Sequence, residues 1–306
     1  MVRLKSGRPD LTPYRAMFDV PTAGDEDLAV TFLGVATVLV QDGQSAVMTD
    51  GFFSRPSLVK TILGRLRPDE DRIRTALNGA GVDKLDAVIP VHTHYDHALD
   101  SAVVARRTGA KLIGGPSAAQ VARGGGLPDA RIEVVEPGTT LGVGSFDVTM
   151  IAGRHSAPDR WPGEITAPVV PPARVSAYRC GDAWSVHLLH RPSGQSLLIN
   201  GSAGFVPGAL ASLQADAVYL GIGQLGIQSA DYMAAYWTET VRAVRARRVV
   251  LIHWDDFFRP LTEPLQALPY AGDDLNESMR VLLALAATDD VTLHLPTLGQ
   301  RENPWA

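Results

Sequence analysis

The sequence predicts an α/β (α+β) layered fold in which two mixed β-sheets pack together under outer helices. Three observations lead there. Apolar residues make up 45% of the 306 positions, enough to bury a sizeable core. Short β-branched runs alternate with segments of helical periodicity. Hairpin signals occur in both halves of the chain, so neither half is a purely parallel sheet.

Residues 1–28 are polar and broken by Pro9, Pro13 and Pro21, and read as an arm laid over the domain formed by residues 29–306. Ala29–Val40 and Ser45–Thr49 are strand runs joined through Gln41-Asp42-Gly43-Gln44, a turn sequence. Ser57–Arg67 has Leu58, Val59, Ile62, Leu63 and Leu66 at helical spacing and is expected to cover the core or the site. Asp86–Val91 is a buried-strand run ending directly in His92, and Ala98–Thr108 is a helix closed by Gly109. Lys111–Gly114, Ile132–Val135 and Phe146–Ile151 follow as strands. Trp184–His190 and Ser196–Asn200 make a second hairpin through Pro192-Ser193-Gly194. Ala217–Leu220 and Arg248–His253 flank a long helical stretch, Ser229–Arg247; Leu275–Ala287 is the last helix and Val291–Leu295 the last strand. Five prolines stiffen Ala157–Ser176, a long irregular loop of the kind that usually serves function.

Composition excludes several classes. Lys plus Arg is 28 and Asp plus Glu is 33, a formal charge of −5, which argues against nucleic acid as the main partner. The run Arg242, Arg245, Arg247, Arg248 near a helix end reads as a solvated face. Cys180 is the single cysteine, so neither an internal disulfide nor a Cys-rich zinc site is available, and a buried inert thiol is the expectation. No apolar run is long enough for stable membrane insertion, and the N-terminal residues as written lack a signal-peptide core, so a cytoplasmic protein is the expectation. A monomer and a homodimer both fit the composition.

The chemistry concentrates in Val91-His92-Thr93-His94-Tyr95-Asp96-His97. Three imidazoles and a carboxylate within six residues, at the end of an apolar strand, have few structural explanations. Such donors suit zinc, and also iron or manganese. At i, i+2, His92 and His94 share a face while the strand persists, and Asp96 and His97 lie on the turn beyond. One small ion cannot easily take all four groups, so two metals are implied.

His92-x-His94-x-Asp96-His97 resembles the signature of the metallo-β-lactamase superfamily. Further stretches agree in order: Leu33–Val40 with Met48-Thr49-Asp50, His155 after a strand, Gly201-Ser202-Ala203-Gly204-Phe205, and His253 in Leu251-Ile252-His253-Trp254. Leu33–Val40, Thr49–Arg55, His94–Asp100 and His253-Trp254 are similar to N-acyl-phosphatidylethanolamine phospholipase D and ascorbate-6-phosphate lactonase relatives. The resemblance implies a four-layer αββα sandwich and a hydrolase with two divalent metal ions, zinc first and manganese or iron as alternatives. It implies that His92, His94 and His155 hold one metal while Asp96, His97 and His253 hold the other. Asp96 would also move a proton, and Asp50 would orient a ligand histidine or its loop.

Two departures matter. Ser202 stands where the family usually carries a bridging aspartate, which removes a negative charge and weakens the second metal position, although some β-lactamases carry serine there and hold two metals. Relatives that cleave phosphodiesters generally keep that carboxylate, so the chemistry expected here is cleavage of a carboxylic ester, lactone or amide of a small molecule. If the register is shifted by two, Asn200 would compensate. Val35 stands where the closer relatives have histidine. The alternatives are a phosphodiesterase of the phospholipase D type and a non-catalytic member that only binds metal or ligand.

Phe53, Arg55, Tyr95, Trp161 and Asp255 are the expected substrate contacts, an aromatic rim with one cation suited to a partly apolar anionic substrate. His187 and His190 read as structural, and His294 as polar-out on the last strand.

Overall fold

A computed structural model describes residues 5–25 and 27–306. In the first sheet lie β1 (Ala29–Phe32), β2 (Val38–Gln41), β3 (Ala46–Thr49), β4 (Ala87–Ile89), β5 (Lys111–Gly114) and β6 (Ile132–Val134). In the second lie β7 (Thr140–Val143), β8 (Phe146–Ala152), β9 (Trp184–His190), β10 (Ser196–Asn200), β11 (Ala217–Gly221), β12 (Arg248–Ile252) and β13 (Thr292–His294). The last strand, β14 (Arg301–Glu302), returns to the open edge of the first sheet beside β1, giving the orders β14-β1-β2-β3-β4-β5-β6 and β13-β12-β11-β10-β9-β8-β7. Both sheets are mixed. From β3 to β6 the pairings are parallel and from β14 to β3 antiparallel; β10 to β13 is parallel and β7 to β10 antiparallel.

Strand periodicity builds the layers. Along β11 and β12, Ala217, Tyr219, Val250 and Ile252 point into the inter-sheet core, and Val218, Leu220, Val249 and Leu251 point to the outer helices. Inward residues of the first sheet, including Val47, Ala87 and Ile89, meet them. Outside the first sheet lie α2 (Glu70–Gly79), α4 (Ser101–Thr108) and α5 (Pro116–Gly124), packed on Met48, Val88 and Leu112. Outside the second lie α6 (Ala230–Trp237) and α7 (Leu275–Asp289). This is the expected αββα sandwich.

Several elements differ from the sequence reading. The strand before His92 stops at Ile89, because Pro90 has no N–H to donate. The predicted helix over 98–108 is split into α3 (Tyr95–Ala98) and α4, which ends as expected at Gly109 with φ +81°. Helices α2 and α5 carry no signal in that reading: α2 buries only Ile73 and Leu77, and α5 packs through alanines and Val121. The stretch 229–247 is helical only as far as Arg242, and its last turn, Thr238–Arg242, is widened where Thr240 Oγ1 donates to the Tyr236 carbonyl. Most of all, α1 (Leu58–Leu63) turns its aliphatic side outward. Val59, Ile62 and Leu63 are 64–80% exposed, and Thr61 is the residue it buries.

The arm lies against the domain through Arg8 to Asp256, Tyr14 to Asn276 and Asp19 to His294. His294 is therefore buried and paired with the arm, contrary to its expected outward position. His187 bonds the Gln214 carbonyl and His190 pairs with Asp42 and Ser193, both structural as read. Among the described residues, no helix is long and apolar enough to cross a membrane.

Candidate metal centre

The carboxyl ends of β3, β4, β8, β10 and β12 open on one edge of the sandwich. The residues just beyond them are Asp50, His92–His97, His155, Ser202 and His253. Pro90 frees the chain from the ladder, and residues 92–94 bend into the N-terminus of α3, whose first turns hold Asp96 and His97. His92 and His94 still meet, through this bend and not through a shared strand face: His92 Nε2 lies 3.1 Å from His94 Nδ1.

Two trios form. The donor atoms of His92, His94 and His155 lie within 4.8 Å of one another, and so do those of Asp96, His97 and His253. His97 Nε2 is 3.2 Å from His253 Nε2, and Asp96 Oδ2 is 3.6 Å from each. The His92 and His97 rings, with centroids 3.9 Å apart, join the trios.

Three of the five rings are held by their other nitrogen or by their backbone. His97 Nδ1 is 2.7 Å from Asp50 Oδ2, while Asp50 Oδ1 accepts the Val91 N–H at 2.8 Å. Asp50 thus bridges His97 and the backbone just before His92. His155 Nδ1 donates to the Ser156 carbonyl at 2.6 Å, leaving Nε2 for the cluster. The His253 N–H donates to Val35 O at 2.7 Å. Val35, Asp50 and His253 all take left-handed backbone, with φ +55° to +60°. Gly223 is needed because a Cβ there would lie 2.6 Å from His253 Nδ1.

Burial pushes all five imidazoles below their ordinary range, His94 and His253 to about 4, with neighbouring rings adding to the effect in His92, His94, His97 and His253. Burial also lifts Asp96 to about 7. At neutral pH the rings are therefore uncharged and carry lone pairs, the form a metal requires. The donor set fits a cation on distance as well. Two nitrogens on one tetrahedral zinc ion are about 3.3 Å apart, and the facing nitrogens here are at 3.1 and 3.2 Å. His92 Nδ1 and His253 Nδ1 are buried without a partner among the described residues.

The expected substrate rim is only partly formed. Trp161 stands half-buried with its ring edge-on to His94, centroids 6.3 Å apart. Phe257, which follows His253, flanks that ring at 5.9 Å. Tyr95 is buried between Phe52 and Phe257 and supports the motif from below. Phe53 is not at the mouth: it packs in the core with Leu33, Met48 and Ile73. Arg55 and Asp255 are not substrate contacts either, since they neutralise each other with no exposed side-chain surface, Nη2 to Oδ2 2.5 Å. A side chain at Gly34 would collide with that guanidinium.

Ser202 Oγ accepts the Ser156 N–H at 3.3 Å, beside the first trio. Asn200 does not compensate: its amide is spent on Ser202 O and the Tyr236 hydroxyl. Two contributors carry no sequence signal. Asp100 binds the loop after Asp50 through the N–H groups of Phe53 and Ser54. Asp159, on the proline-rich loop, lies 3.2 Å from His94 Nε2.

Residues 47–254 match the beta-lactamase superfamily domain, and the chain belongs to that superfamily. Over 162 residues it is 31% identical to a UPF0173 metal-dependent hydrolase of Methanopyrus kandleri, covering 51% of this chain and 62% of that protein. A second such hydrolase, from Anaeromyxobacter, is 30% identical over 45% of this chain and 46% of its own length. The chain thus spans less than two thirds of either relative. In fold it is similar to the metallo hydrolase Igni18 of Ignicoccus hospitalis, with a TM-score of 0.54 at 16% identity over 90% of this chain and 97% of that one.

Proposed function

We propose that the protein is a metal-dependent hydrolase that cleaves a carboxylic ester, lactone or amide of a small molecule. The observation that carries this reading is the pair of trios, five neutral imidazoles and one carboxylate, with Trp161 beside His94 and Phe257 beside His253. The names of the UPF0173 relatives support the reaction class. Ser202 in place of a carboxylate supports acyl substrates over phosphodiesters.

His92, His94 and His155 would hold one divalent cation and Asp96, His97 and His253 a second, zinc first among candidates. When bound, such ions supply Lewis acidity that polarises the scissile bond and brings water ionisation near neutral pH. Asp50 keeps the His97 proton on Nδ1, so Nε2 faces the cluster. Asp96 offers a carboxylate oxygen that can take a proton and return it to the leaving group. Trp161 and Phe257 bind the apolar part of the substrate and narrow water access.

The test is elemental analysis of the purified protein beside His253→Ala, with a screen of chromogenic esters, lactones and phosphodiesters. Two metals per chain falling to one, with ester or lactone turnover lost, is the expected result. One metal unaffected by losing His253 overturns the paired centre. Turnover of a phosphodiester alone overturns the acyl assignment.

A further inference from the structure

We propose that His94, Asp159 and Cys180 form a separate site for a thiophilic divalent cation, and that filling it takes His94 away from His92 and His155 and silences the centre. The silencing step rests on the hydrolase reading above; the site itself does not.

Backbone bonds bring the three residues together across 86 positions of chain. The Thr93 N–H donates to Cys180 O at 2.8 Å, which ties Cys180 to the residue between His92 and His94. The Cys180 N–H donates to Trp161 O at 2.9 Å, which ties it to the loop bearing Asp159, and Asp159 Oδ1 accepts the Trp161 N–H at 3.0 Å. As a result a His94 ring nitrogen, an Asp159 carboxylate oxygen and Cys180 Sγ lie within 4.8 Å of one another, with Nε2 the nitrogen that faces Asp159.

His94 is 6% exposed, and among the described residues its Nε2 is buried without a well-aligned hydrogen-bond partner, although Asp159 Oδ1 is only 3.2 Å away. The ring N–H and the carboxylate approach each other without hydrogen-bond alignment, as donors arranged about a common point would. The donors are one nitrogen, one oxygen and one sulfur, a set that favours zinc or cadmium over magnesium or calcium. A carboxylate and a thiolate also neutralise a dication, so the filled site carries no net charge into a buried region. Asp159, a quarter exposed, is the way in.

The two uses of His94 exclude each other. A neutral imidazole has one lone pair. With Nδ1 turned to His92 and His155, the proton sits on Nε2. A cation on Nε2 requires the proton on Nδ1, and Cys180 gives its thiol proton to solvent. The first trio is then reduced to His92 and His155.

A cadmium titration of the zinc-loaded protein tests this. The chain has one cysteine, and the six residues of the main centre contain no sulfur, so an ultraviolet thiolate-to-cadmium band can arise only at Cys180. The expected result is a band saturating at one cadmium per chain while an indicator dye captures one released zinc. Cys180→Ser holds the same zinc but shows neither signal, and Asp159→Asn shifts the midpoint upward by about tenfold or more. No band at a large excess of cadmium overturns the site and leaves Asp159 as an orienting partner of His94. A band without zinc release overturns the exclusion. A preparation that binds no zinc at the outset instead counts against the hydrolase reading, and the cadmium band still reports on Cys180.

Discussion

Replacing Arg55 with Met should destabilise the protein by about 3–5 kcal/mol, the usual cost of leaving one member of a buried ion pair alone. The guanidinium has no exposed surface, binds Asp255 Oδ2 at 2.5 Å and donates to the carbonyls of Asp256 and Arg259 at 3.3 and 3.4 Å. Asp255 keeps one further partner, the Val35 N–H at 2.9 Å. Arg55→Met therefore leaves a dry carboxylate with a single donor and takes the guanidinium from the Arg259 carbonyl, while the Asp256 carbonyl keeps the Arg259 N–H at 3.2 Å. The double variant Arg55→Met, Asp255→Asn removes the charge and retains an acceptor for Val35, so it should be more stable than Arg55→Met alone. Equilibrium urea denaturation of the four proteins gives the coupling directly. A loss below about 1 kcal/mol for Arg55→Met, or a double variant whose loss is the sum of the singles, refutes the reasoning. Because Asp255 anchors the loop that carries His253, Arg55→Met should also lose metal more readily.

Two further outcomes are expected. Burial lifts Glu302, whose Oε1 accepts the Thr297 N–H, from an ordinary 4.5 to about 8. Its protonated form is thus favoured in the fold, and that contribution is complete below pH 4.5 and lost as pH rises through about 8. The slope is at most about 1.4 kcal/mol per pH unit. Glu302→Gln should gain stability over the parent at the alkaline end of this window and not at the acid end; denaturation curves that track the parent at both ends would contradict this. Ser202→Asp should tighten the second metal by about tenfold or more, measured by chelator competition, and an unchanged affinity would show that position 202 does not face both trios.

Legibility in the sequence followed distance along the chain. The layered sheets were readable because β11 and β12 alternate inward and outward residues without interruption. Four members of the metal cluster were readable because they fall within six residues, and His155, His253 and Asp50 through their motif context. Arg55 and Asp255 were misread because each looks like a free charge near the site; only the fold brings them together across 200 residues. Asp159 was invisible for the same reason, being placed by the Trp161 and Cys180 backbone bonds. Helix α1 misled in a different way. Its apolar spacing is real, but Pro56 and Gly64 bound a short turn that leaves Val59, Ile62 and Leu63 in solvent.

The left-handed backbone at Val35, Asp50 and His253 bears on how this chain can be engineered. Glycine at Val35 would relieve a conformation that a β-branched residue adopts at a cost on the order of 1–3 kcal/mol, and it would keep the N–H and carbonyl that serve Asp255 and His253. Val35 is itself fully buried, so glycine there also forfeits side-chain packing of about 1.5–3 kcal/mol, and a library selected for heat resistance alone gains little at this position. The same selection at Asp50 or His253 would discard the groups proposed to orient and hold metal, so its survivors there would be hardened but inert.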